Sequence, residues 1–261
     1  MNALRIALAL IVGVLVAITT AELASADTSP SSPCLSDDIS KFHQGDFADI
    51  VVDCTAVIAQ HPDDADAYLM RSKAYYFGGR LDAALADVDK AVDLAPKDPY
   101  NWSFRCQVKK QMGMFAAALD DCDHALDLDP ALPEPYFARG TLYLNEHSFA
   151  KAVDDFTIYI DSNPNDADAH YNRAIAYEYL GECKNAIPDF TAELRIQGDE
   201  PDGLFHRGEC EFKNGDMKAS KVDLVEAAVL YKKAGNANGV DEVTNFMLQF
   251  GATNTPTPQP S

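Results

Sequence analysis

Apolar residues recur along most of the chain at helical spacing, with polar residues between them. In residues 65–98, Tyr68, Arg71 and Tyr75 are separated by three and four residues, which places them on one face of a helix. Gly79 interrupts the pattern, and a second helix follows with its own apolar face. That second face holds Leu81, Ala84, Leu85, Val88, Val92 and Leu94. The segment predicts a helix–turn–helix unit with its turn at Gly79.

The same unit returns every 34 residues. Helix-stopping residues stand at Pro62, Pro96, Pro130, Pro164 and Gly198. One arginine column contains Arg71, Arg105, Arg139, Arg173 and Arg207, and one aspartate column contains Asp53, Asp87, Asp121, Asp155, Asp189 and Asp223. Further columns hold Ala84, Ala118, Ala152 and Ala186, and Gly45, Gly79, Gly113, Gly181 and Gly215. Since one hairpin cannot bury its apolar face alone, the units must stack on one another.

Helix-start signals repeat in step with this pattern. Asp64, Asp98 and Asp166 stand where an N-cap belongs. Pro99, Pro133 and Pro201 occupy the expected first helical position.

The 34-residue period resembles the tetratricopeptide repeat family, because characteristic residues of that repeat stand in the expected columns. These are Trp102, Gly140, Tyr143, Ala152, Phe156 and Pro164. The resemblance covers roughly residues 31 to 234 as six units, namely 31–64, 65–98, 99–132, 133–166, 167–200 and 201–234. It implies an all-α, right-handed superhelical solenoid of helix–turn–helix units.

The two outer units are the least regular, as expected for repeats at the ends of a solenoid. The last has Ser220 in the alanine column and Lys232 in place of proline. After it, an apolar face predicts a capping helix over about residues 238–250, and residues 251–261 read as a disordered tail.

The N-terminus has the layout of a secretory signal. Arg5 is followed by an apolar run from Ile6 to Ile18 and by the small-x-small site Ala24-Ser25-Ala26. The run is shorter than the roughly 20 residues of a membrane span. We therefore expect cleavage after Ala26, with an uncleaved anchor as the alternative. The protein is expected to be exported, to a bacterial periplasm or, alternatively, by secretion.

The charge of the chain narrows the classes of partner. The formal net charge is −20, and an acidic surface repels phosphate backbones and anionic lipids. We therefore expect neither nucleic-acid binding nor membrane-surface binding. A basic partner is compatible with this charge, and so is a charge that only keeps the protein soluble.

The arginine and aspartate columns predict ion pairs inside the repeats. Antiparallel packing of the two helices would bring each Arg to the level of the Asp sixteen residues later. The predicted pairs are Arg71/Asp87, Arg105/Asp121, Arg139/Asp155, Arg173/Asp189 and Arg207/Asp223. Pairing with the aspartate of a neighbouring repeat is the alternative. A third interpretation, an arginine ladder that binds an extended acidic ligand, is weaker because each Arg has a matched Asp.

Six cysteines in an exported chain predict disulfides, and six allow fifteen connectivities. The repeat register and the stacking that the family resemblance implies favour Cys34–Cys54, Cys106–Cys122 and Cys183–Cys210. A metal or redox site is the rival interpretation, but the chain has no Cys-x-x-Cys and no Cys/His cluster at ligand spacing.

No catalytic constellation is evident in the sequence. The six histidines fall in scattered repeat columns, and Gly78-Gly79 belongs to a repeat turn rather than to a phosphate-binding loop. We predict no enzymatic activity, no cofactor and no metal site.

In this family the first helices line a concave groove where peptides bind. Carried onto this chain, the resemblance implies a mixed aromatic groove suited to a peptide or helix with an apolar anchor. Its residues are Leu69, Lys73, Tyr76, Gln107, Lys110, Phe137, Thr141, Tyr171, Ile175, Phe205 and Phe212. The alternative is that some of the aromatic residues only pack between repeats. The Lys/Asn arrangement of the family's carboxylate clamp is absent.

The sequence therefore predicts an extracytoplasmic scaffold or adaptor that binds another protein. Two other classes remain open: a non-catalytic regulatory subunit of an envelope enzyme, and a self-assembling structural protein. The sequence names neither the partner protein nor the oligomeric state.

Overall fold

The computed structural model describes Cys34 and residues 47–253, with side chains as far as Leu248. The predicted signal peptide, most of the first helix of the first repeat, and residues 254–261 of the predicted tail lie outside the described residues. Within the described part of the chain, every regular element is an α-helix. The expectation of an all-α helical-repeat fold is confirmed.

Twelve helices occupy residues 47–253. They are α1 (Phe47–Gln60), α2 (Ala65–Phe77), α3 (Leu81–Leu94), α4 (Pro99–Gln111), α5 (Phe115–Leu128), α6 (Glu134–Asn145), α7 (Phe149–Ser162), α8 (Ala167–Tyr179), α9 (Cys183–Gln197), α10 (Pro201–Lys213), α11 (Met217–Lys233) and α12 (Ala237–Thr253). Four hairpins, α2–α3, α4–α5, α8–α9 and α10–α11, form in the register that the 34-residue period predicts, and α6 and α7 occupy the positions that the period predicts for the fourth repeat.

The chain forms two compact units, one ending at Leu142 and the other beginning at Tyr143. They are called the N-terminal unit and the C-terminal unit below. The boundary falls within α6, the first helix of the fourth repeat.

The hairpin turns depend on a left-handed residue at one repeat position. Gly79, Gly113, Gly181 and Gly215 have φ angles between +74° and +89°. His147 occupies the same position in the fourth repeat, with φ of +58°, and is the one non-glycine residue with positive φ in the described part of the chain. A side chain in this conformation costs about 1–2 kcal/mol relative to glycine.

Small residues allow the helices to approach closely. Ala84, Ala118, Ala152 and Ala186 are each fully buried. Large side chains of the second helices fill the space beside them, and Val88, Phe156 and Phe190 are also fully buried. Because a larger residue in the alanine column would force the helices apart, this column fixes the hairpin geometry.

Helix starts follow the predicted capping. The side chains of Asp64, Asp98 and Asp166 accept hydrogen bonds from backbone N–H groups in the first turns of α2, α4 and α8. Pro99 and Pro201 are the first residues of their helices, whereas Pro133 comes one residue before the start of α6.

Helix α12 covers the last hairpin, as the sequence predicted. Val243 is fully buried and belongs to one cluster with Leu224 and Tyr231 of α11. The helix runs to Thr253, three residues beyond Phe250, where the sequence placed its end. Gly251 and Ala252 are compatible with a helical backbone, and the first strong breaker is Pro256. None of the helices in the described residues is long and apolar enough to cross a membrane.

Candidate functional site

The arginine column is neutralised inside the fold. Four arginines, Arg71, Arg105, Arg173 and Arg207, each donate two hydrogen bonds of 2.6–3.0 Å to the aspartate sixteen residues later. These aspartates are at most 7% exposed. The internal pairing that the sequence predicted therefore holds in these four repeats. Arg139 and Asp155 belong to different units, and their pairing stays a prediction.

The arginine side chains also donate to a second column of hydrogen-bond acceptors, which was not predicted from the sequence. The Nη1 atom of each arginine donates to a residue of the preceding repeat, at 2.6–3.3 Å. The acceptors are Thr55, Asp89, Asp123, Thr157 and Thr191. They are spaced 34 residues apart and all carry a side-chain oxygen, which is the signal that could have revealed them.

Two of the three predicted disulfides are present. Cys34 is bonded to Cys54, with the Cα atoms 5.2 Å apart, and Cys106 to Cys122, with the Cα atoms 5.4 Å apart. Both bonds lie in the N-terminal unit, and all four residues are fully buried. The Cys106–Cys122 bond links α4 and α5, the two helices of one repeat, and the other bond links Cys34 to α1.

The third predicted disulfide is not formed. Cys183 and Cys210 are free, buried thiols of the same apolar cluster, which also contains Phe190. Burial, followed by the hydrogen bond with Cys183, raises the pKa of the Cys210 thiol. Because the thiolate is the form that attacks a disulfide or an oxidant, the raised pKa slows the reaction of the Cys210 thiol.

The predicted groove residues divide into a buried and an accessible set. Leu69 and Phe205 are only 8% and 4% exposed, and both belong to apolar clusters between helices, so their assignment to an open groove is corrected. Both side chains pack between repeats, which the alternative interpretation allowed for Phe205, an aromatic residue, but not for Leu69. The others are half-buried: Lys73, Tyr76, Gln107, Lys110, Phe137, Thr141, Tyr171, Ile175 and Phe212.

The side of the first helices that carries the predicted groove residues is called the inward face below. In the N-terminal unit, two lysines of this face lie against aromatic rings. Lys73 Nζ lies 5.8 Å from the centroid of the Phe104 ring, and Lys110 Nζ lies 5.7 Å from that of Phe137. Tyr76 meets Phe104 edge to face, with centroids 5.6 Å apart. These are the distances of cation–π and aromatic contacts.

The two ammonium groups are poorly hydrated and lack a carboxylate partner. Burial lowers the pKa of Lys110 to about 8, and it lowers the pKa of Lys73 despite the opposing charges of Glu134 and Asp98. Within the part of the chain that the structure describes, neither lysine forms an ion pair, whereas the neighbouring Lys109 binds Asp121 at 2.7 Å. An ammonium group in such a place favours an incoming anion.

The inward face of the C-terminal unit combines aromatic rings with carboxylates. Tyr171 meets Phe190 edge to face at 5.8 Å, and Phe212 meets Phe246 of α12 at 5.5 Å. Burial, followed by the charge of Asp202, raises the pKa of the Tyr171 hydroxyl. The phenol therefore stays neutral and can act as a hydrogen-bond donor.

Beside these rings, Glu178, His206 and Glu209 form a compact cluster. His206 Nδ1 lies 3.0 Å from Glu178 Oε2 and 3.9 Å from Glu209 Oε2. Lys213 Nζ donates to Glu178 Oε1 at 2.7 Å. The imidazole stacks on Phe190, with ring centroids 5.8 Å apart and an angle of 11° between the planes.

The charges of this cluster are unequally compensated. Burial would raise the pKa of Glu178, but the hydrogen bonds from His206 and Lys213 outweigh it and lower that pKa to about 2. Burial and the charge of Glu178 raise the pKa of Glu209 to about 7. Glu209 is therefore the carboxylate whose charge is least stabilised.

Glu178 and Glu209 stand in the repeat columns of Lys110 and Lys73, but their contact with His206 was not predicted from the sequence. The available signal was His206-x-x-Glu209, which puts both side chains on one face of α10. The position of Glu178 on α8 relative to that face follows from helix packing, which the sequence alone does not give.

Two family models, both described as tetratricopeptide repeat, match residues 41–105 and 137–201. No curated protein matches the sequence.

Several solved structures share the fold at low sequence identity. YrrB, described as a TPR protein with an unusual peptide-binding site, is 18% identical with a TM-score of 0.62, covering 72% of this chain and 97% of that one. PilW, described as a type IV pilus biogenesis factor, is 16% identical with a TM-score of 0.66, covering 79% of this chain and 94% of that one. A MamA structure from Desulfovibrio magneticus RS-1 is 18% identical with a TM-score of 0.58, covering 65% and 96%.

The repeat columns, the hairpins that they form and the two matching family models agree. This chain belongs to the tetratricopeptide repeat family.

Proposed function

We propose that this protein is an extracytoplasmic scaffold or adaptor that binds a segment of another protein along the inward faces of its first helices. The single observation that carries the proposal is the lysine pair of the N-terminal unit. Lys73 and Lys110 are half-buried against aromatic rings, and neither forms an ion pair in the described part of the chain.

The chemistry of this face favours a segment with carboxylates beside apolar side chains. Carboxylates would compensate the two ammonium groups, and apolar residues would pack against Tyr76 and Phe137. The formal net charge of −20 does not prevent such binding, because salt screens charges beyond about 8 Å at physiological ionic strength. Local charges on the face decide which segment binds.

The peptide-binding role rests on the family and on these contacts together. Members of the family bind proteins or peptides and are generally not catalytic, and YrrB is described as having a peptide-binding site. At 18% identity that likeness shows the fold alone. The ligand proposed for this chain therefore comes from its own residues.

Charge reversal on the inward face tests the proposal. The full chain serves as bait in an envelope extract beside the variant Lys73→Glu/Lys110→Glu, and captured proteins are identified by mass spectrometry. Lys90→Glu, a reversal on the exposed side of α3, is the matched control. We expect a protein held by the wild type and by Lys90→Glu to be lost from the double variant. Equal capture by all three baits would contradict the assignment of this face.

The extracytoplasmic location is supported by the signal-like sequence of residues 1–26 and by the two disulfides, which persist in oxidising compartments. N-terminal sequencing of the protein from a periplasmic fraction is expected to begin at Asp27. Recovery of the protein only from the cytoplasm, with both disulfides reduced, would contradict it.

A second candidate function, self-assembly, is favoured by one surface of α11. Val222, Val225 and Val229 lie at helical spacing and are 58%, 45% and 60% exposed. Light scattering over a range of concentrations would show a rising mass if these valines pair between copies. Val225→Asp would then restore the monomer mass, whereas a constant monomer mass excludes this function.

A further inference from the structure

In the C-terminal unit, α8 and α10 bring three candidate metal-ligand atoms together. One oxygen each of Glu178 and Glu209 and one ring nitrogen of His206 all lie within 4.8 Å of one another. In a tetrahedral site with bonds of about 2.1 Å, ligand atoms lie about 3.4 Å apart. Side-chain adjustments of roughly an ångström would therefore bring the three atoms to binding distance.

We propose that Glu178, His206 and Glu209 bind one divalent transition-metal ion, with Zn²⁺ as the reference ion. One imidazole and two carboxylates suit Zn²⁺ and similar ions, whereas Mg²⁺ and Ca²⁺ prefer ligand sets of oxygen only. Three protein ligands leave a coordination position for water or for a group of a bound partner.

The surroundings of the cluster hold two of the ligands in place. Phe190 stacks on the imidazole of His206, with ring centroids 5.8 Å apart, and restricts its rotation. Lys213 donates to the second oxygen of Glu178 at 2.7 Å, so that Oε2 stays directed at His206. Such outer contacts orient the ligands in established metal sites.

An ordinary salt-bridge network accounts for Glu178 but leaves the charge of Glu209 poorly compensated. Glu178 has two hydrogen-bond donors, His206 and Lys213. Glu209 Oε2 lies 3.9 Å from His206 Nδ1, beyond hydrogen-bond distance, and beside a second carboxylate. A divalent cation would replace this repulsion between carboxylates with attraction to both.

The repeat itself does not require these residues. The positions equivalent to Glu178 hold Tyr76, Lys110 and Leu144, and those equivalent to Glu209 hold Lys73, Gln107, Thr141 and Ile175. His206 is likewise the one histidine in its column. Because the same hairpin forms without them, the three residues are free to serve binding.

Calorimetric titration of the full chain with Zn²⁺, after chelator treatment and without a histidine tag, tests the proposal. We expect one ion per chain, and affinity at least about tenfold lower for Glu209→Gln and for His206→Gln. His124→Gln in the N-terminal unit is the matched control and should bind like the wild type. Circular dichroism would show whether each variant retains its helices.

Lys213→Ala provides a test that does not depend on removing a ligand. Lys213 orients Glu178, and its side chain is 47% exposed, so its loss should loosen this ligand while disturbing the fold little. We expect Zn²⁺ to bind several-fold more weakly to this variant. If Glu209→Gln and Lys213→Ala both leave the affinity unchanged, or if the wild type shows no saturable binding, the proposal is wrong.

Cobalt absorption distinguishes the proposed site from the buried thiols. Co²⁺ bound by one nitrogen and two oxygens gives no thiolate charge-transfer band, whereas coordination by Cys183 and Cys210 would give one. A strong thiolate band would overturn the assignment to Glu178, His206 and Glu209.

Discussion

The N-terminal and C-terminal units are built from one repeat, yet their inward faces carry opposite charges at equivalent positions. Lys73 and Glu209 are separated by four repeats and stand in the same column. Lys110 and Glu178 are separated by two repeats and share another column. The lysines lie over aromatic rings, whereas the glutamates gather around His206.

This contrast separates the positions that build the fold from those that are free for binding. The alanine column and the arginine–aspartate pairs recur in both units with the same geometry. In the two inward columns, the side-chain charge is positive in the N-terminal unit and negative in the C-terminal unit, although the hairpins are the same. A charged side chain that packing does not require is a candidate for ligand binding. Because these side chains differ between the two units, the units are suited to different ligands.

The units also differ in how their hairpins are held. The N-terminal unit has two disulfides, and the C-terminal unit has the free thiols Cys183 and Cys210. The largest expected effect of a substitution follows from this difference.

Removing the Cys106–Cys122 bond with Cys106→Ala/Cys122→Ala should lower the free energy of unfolding by about 3 kcal/mol, since the bond closes a loop of 16 residues. Trp102, the only tryptophan, lies in the N-terminal unit and reports urea unfolding there by fluorescence. The control Cys183→Ala/Cys210→Ala removes no bond and should cost clearly less. Equal losses would remove the distinction between the two units.

A pH effect of about 2–3 kcal/mol is expected from Glu193 in the C-terminal unit. Glu193 is 4% exposed, and its Oε2 has no hydrogen-bond partner among the described residues. Burial, followed by the charges of Glu200 and Asp168, raises its pKa to about 7, compared with about 4.3 when unfolded. The folded state therefore holds the proton over this interval, and stability is lost as the pH rises from about 4.3 to 7.

Urea unfolding followed by circular dichroism between pH 4.5 and 8 measures this effect. Glu193→Gln should be more stable than the wild type at pH 8 and should lose less stability over the interval. Glu226→Gln, on the exposed side of α11, should keep the wild-type profile. Parallel profiles for the wild type and Glu193→Gln would show that Glu193 does not hold a proton in the folded state.

Ser220→Ala should raise the free energy of unfolding by about 1 kcal/mol, because the buried Ser220 Oγ has no hydrogen-bond partner in the part of the chain that the structure describes. The substitution restores the alanine of the repeat. Ser72→Ala in the N-terminal unit should have the opposite sign, since Ser72 Oγ donates to the Ala84 carbonyl at 2.6 Å. Denaturation midpoints that shift the same way for both would refute this explanation.

The smallest effect, a gain of about 0.5–1 kcal/mol, is expected for His147→Gly. Glycine adopts a φ of +58° without the strain that His147 carries. The entropy that glycine loses on folding offsets part of this gain. Gly113→Ala, at the same repeat position of the N-terminal unit, should be destabilising. Thermal unfolding of both variants measures the pair, and a destabilised His147→Gly would mean that the contact of His147 with Phe149 outweighs the strain.

Much of the fold could be predicted because each feature appears several times in the sequence. The period located the hairpins, Asp64 and Asp98 marked helix starts, and the pairing of Arg71 with Asp87 followed from helix register. The left-handed backbone at His147 was harder to predict, because it follows from the place of this residue in the glycine column and not from the chemistry of histidine.

The candidate sites were less predictable, because a column position does not determine how deeply a side chain is buried. Leu69 and Phe205 stood in inward columns but pack in the core. The cluster around His206 combines residues from α8 and α10, and its distances depend on how the two helices pack. The repeat register predicted three cysteine pairs, but Cys183 and Cys210 are free thiols, and nothing in the structure explains why this pair differs from the other two.

The central claim, that the inward columns carry recognition, is tested most directly by selecting ligands from a random peptide library on the wild type, on Lys73→Glu/Lys110→Glu and on Lys90→Glu. The account predicts that the wild type and Lys90→Glu enrich the same peptides, with Asp or Glu beside apolar residues, and that the double variant loses them. Enrichment of the same peptides by all three proteins, or of none by the wild type, would contradict it.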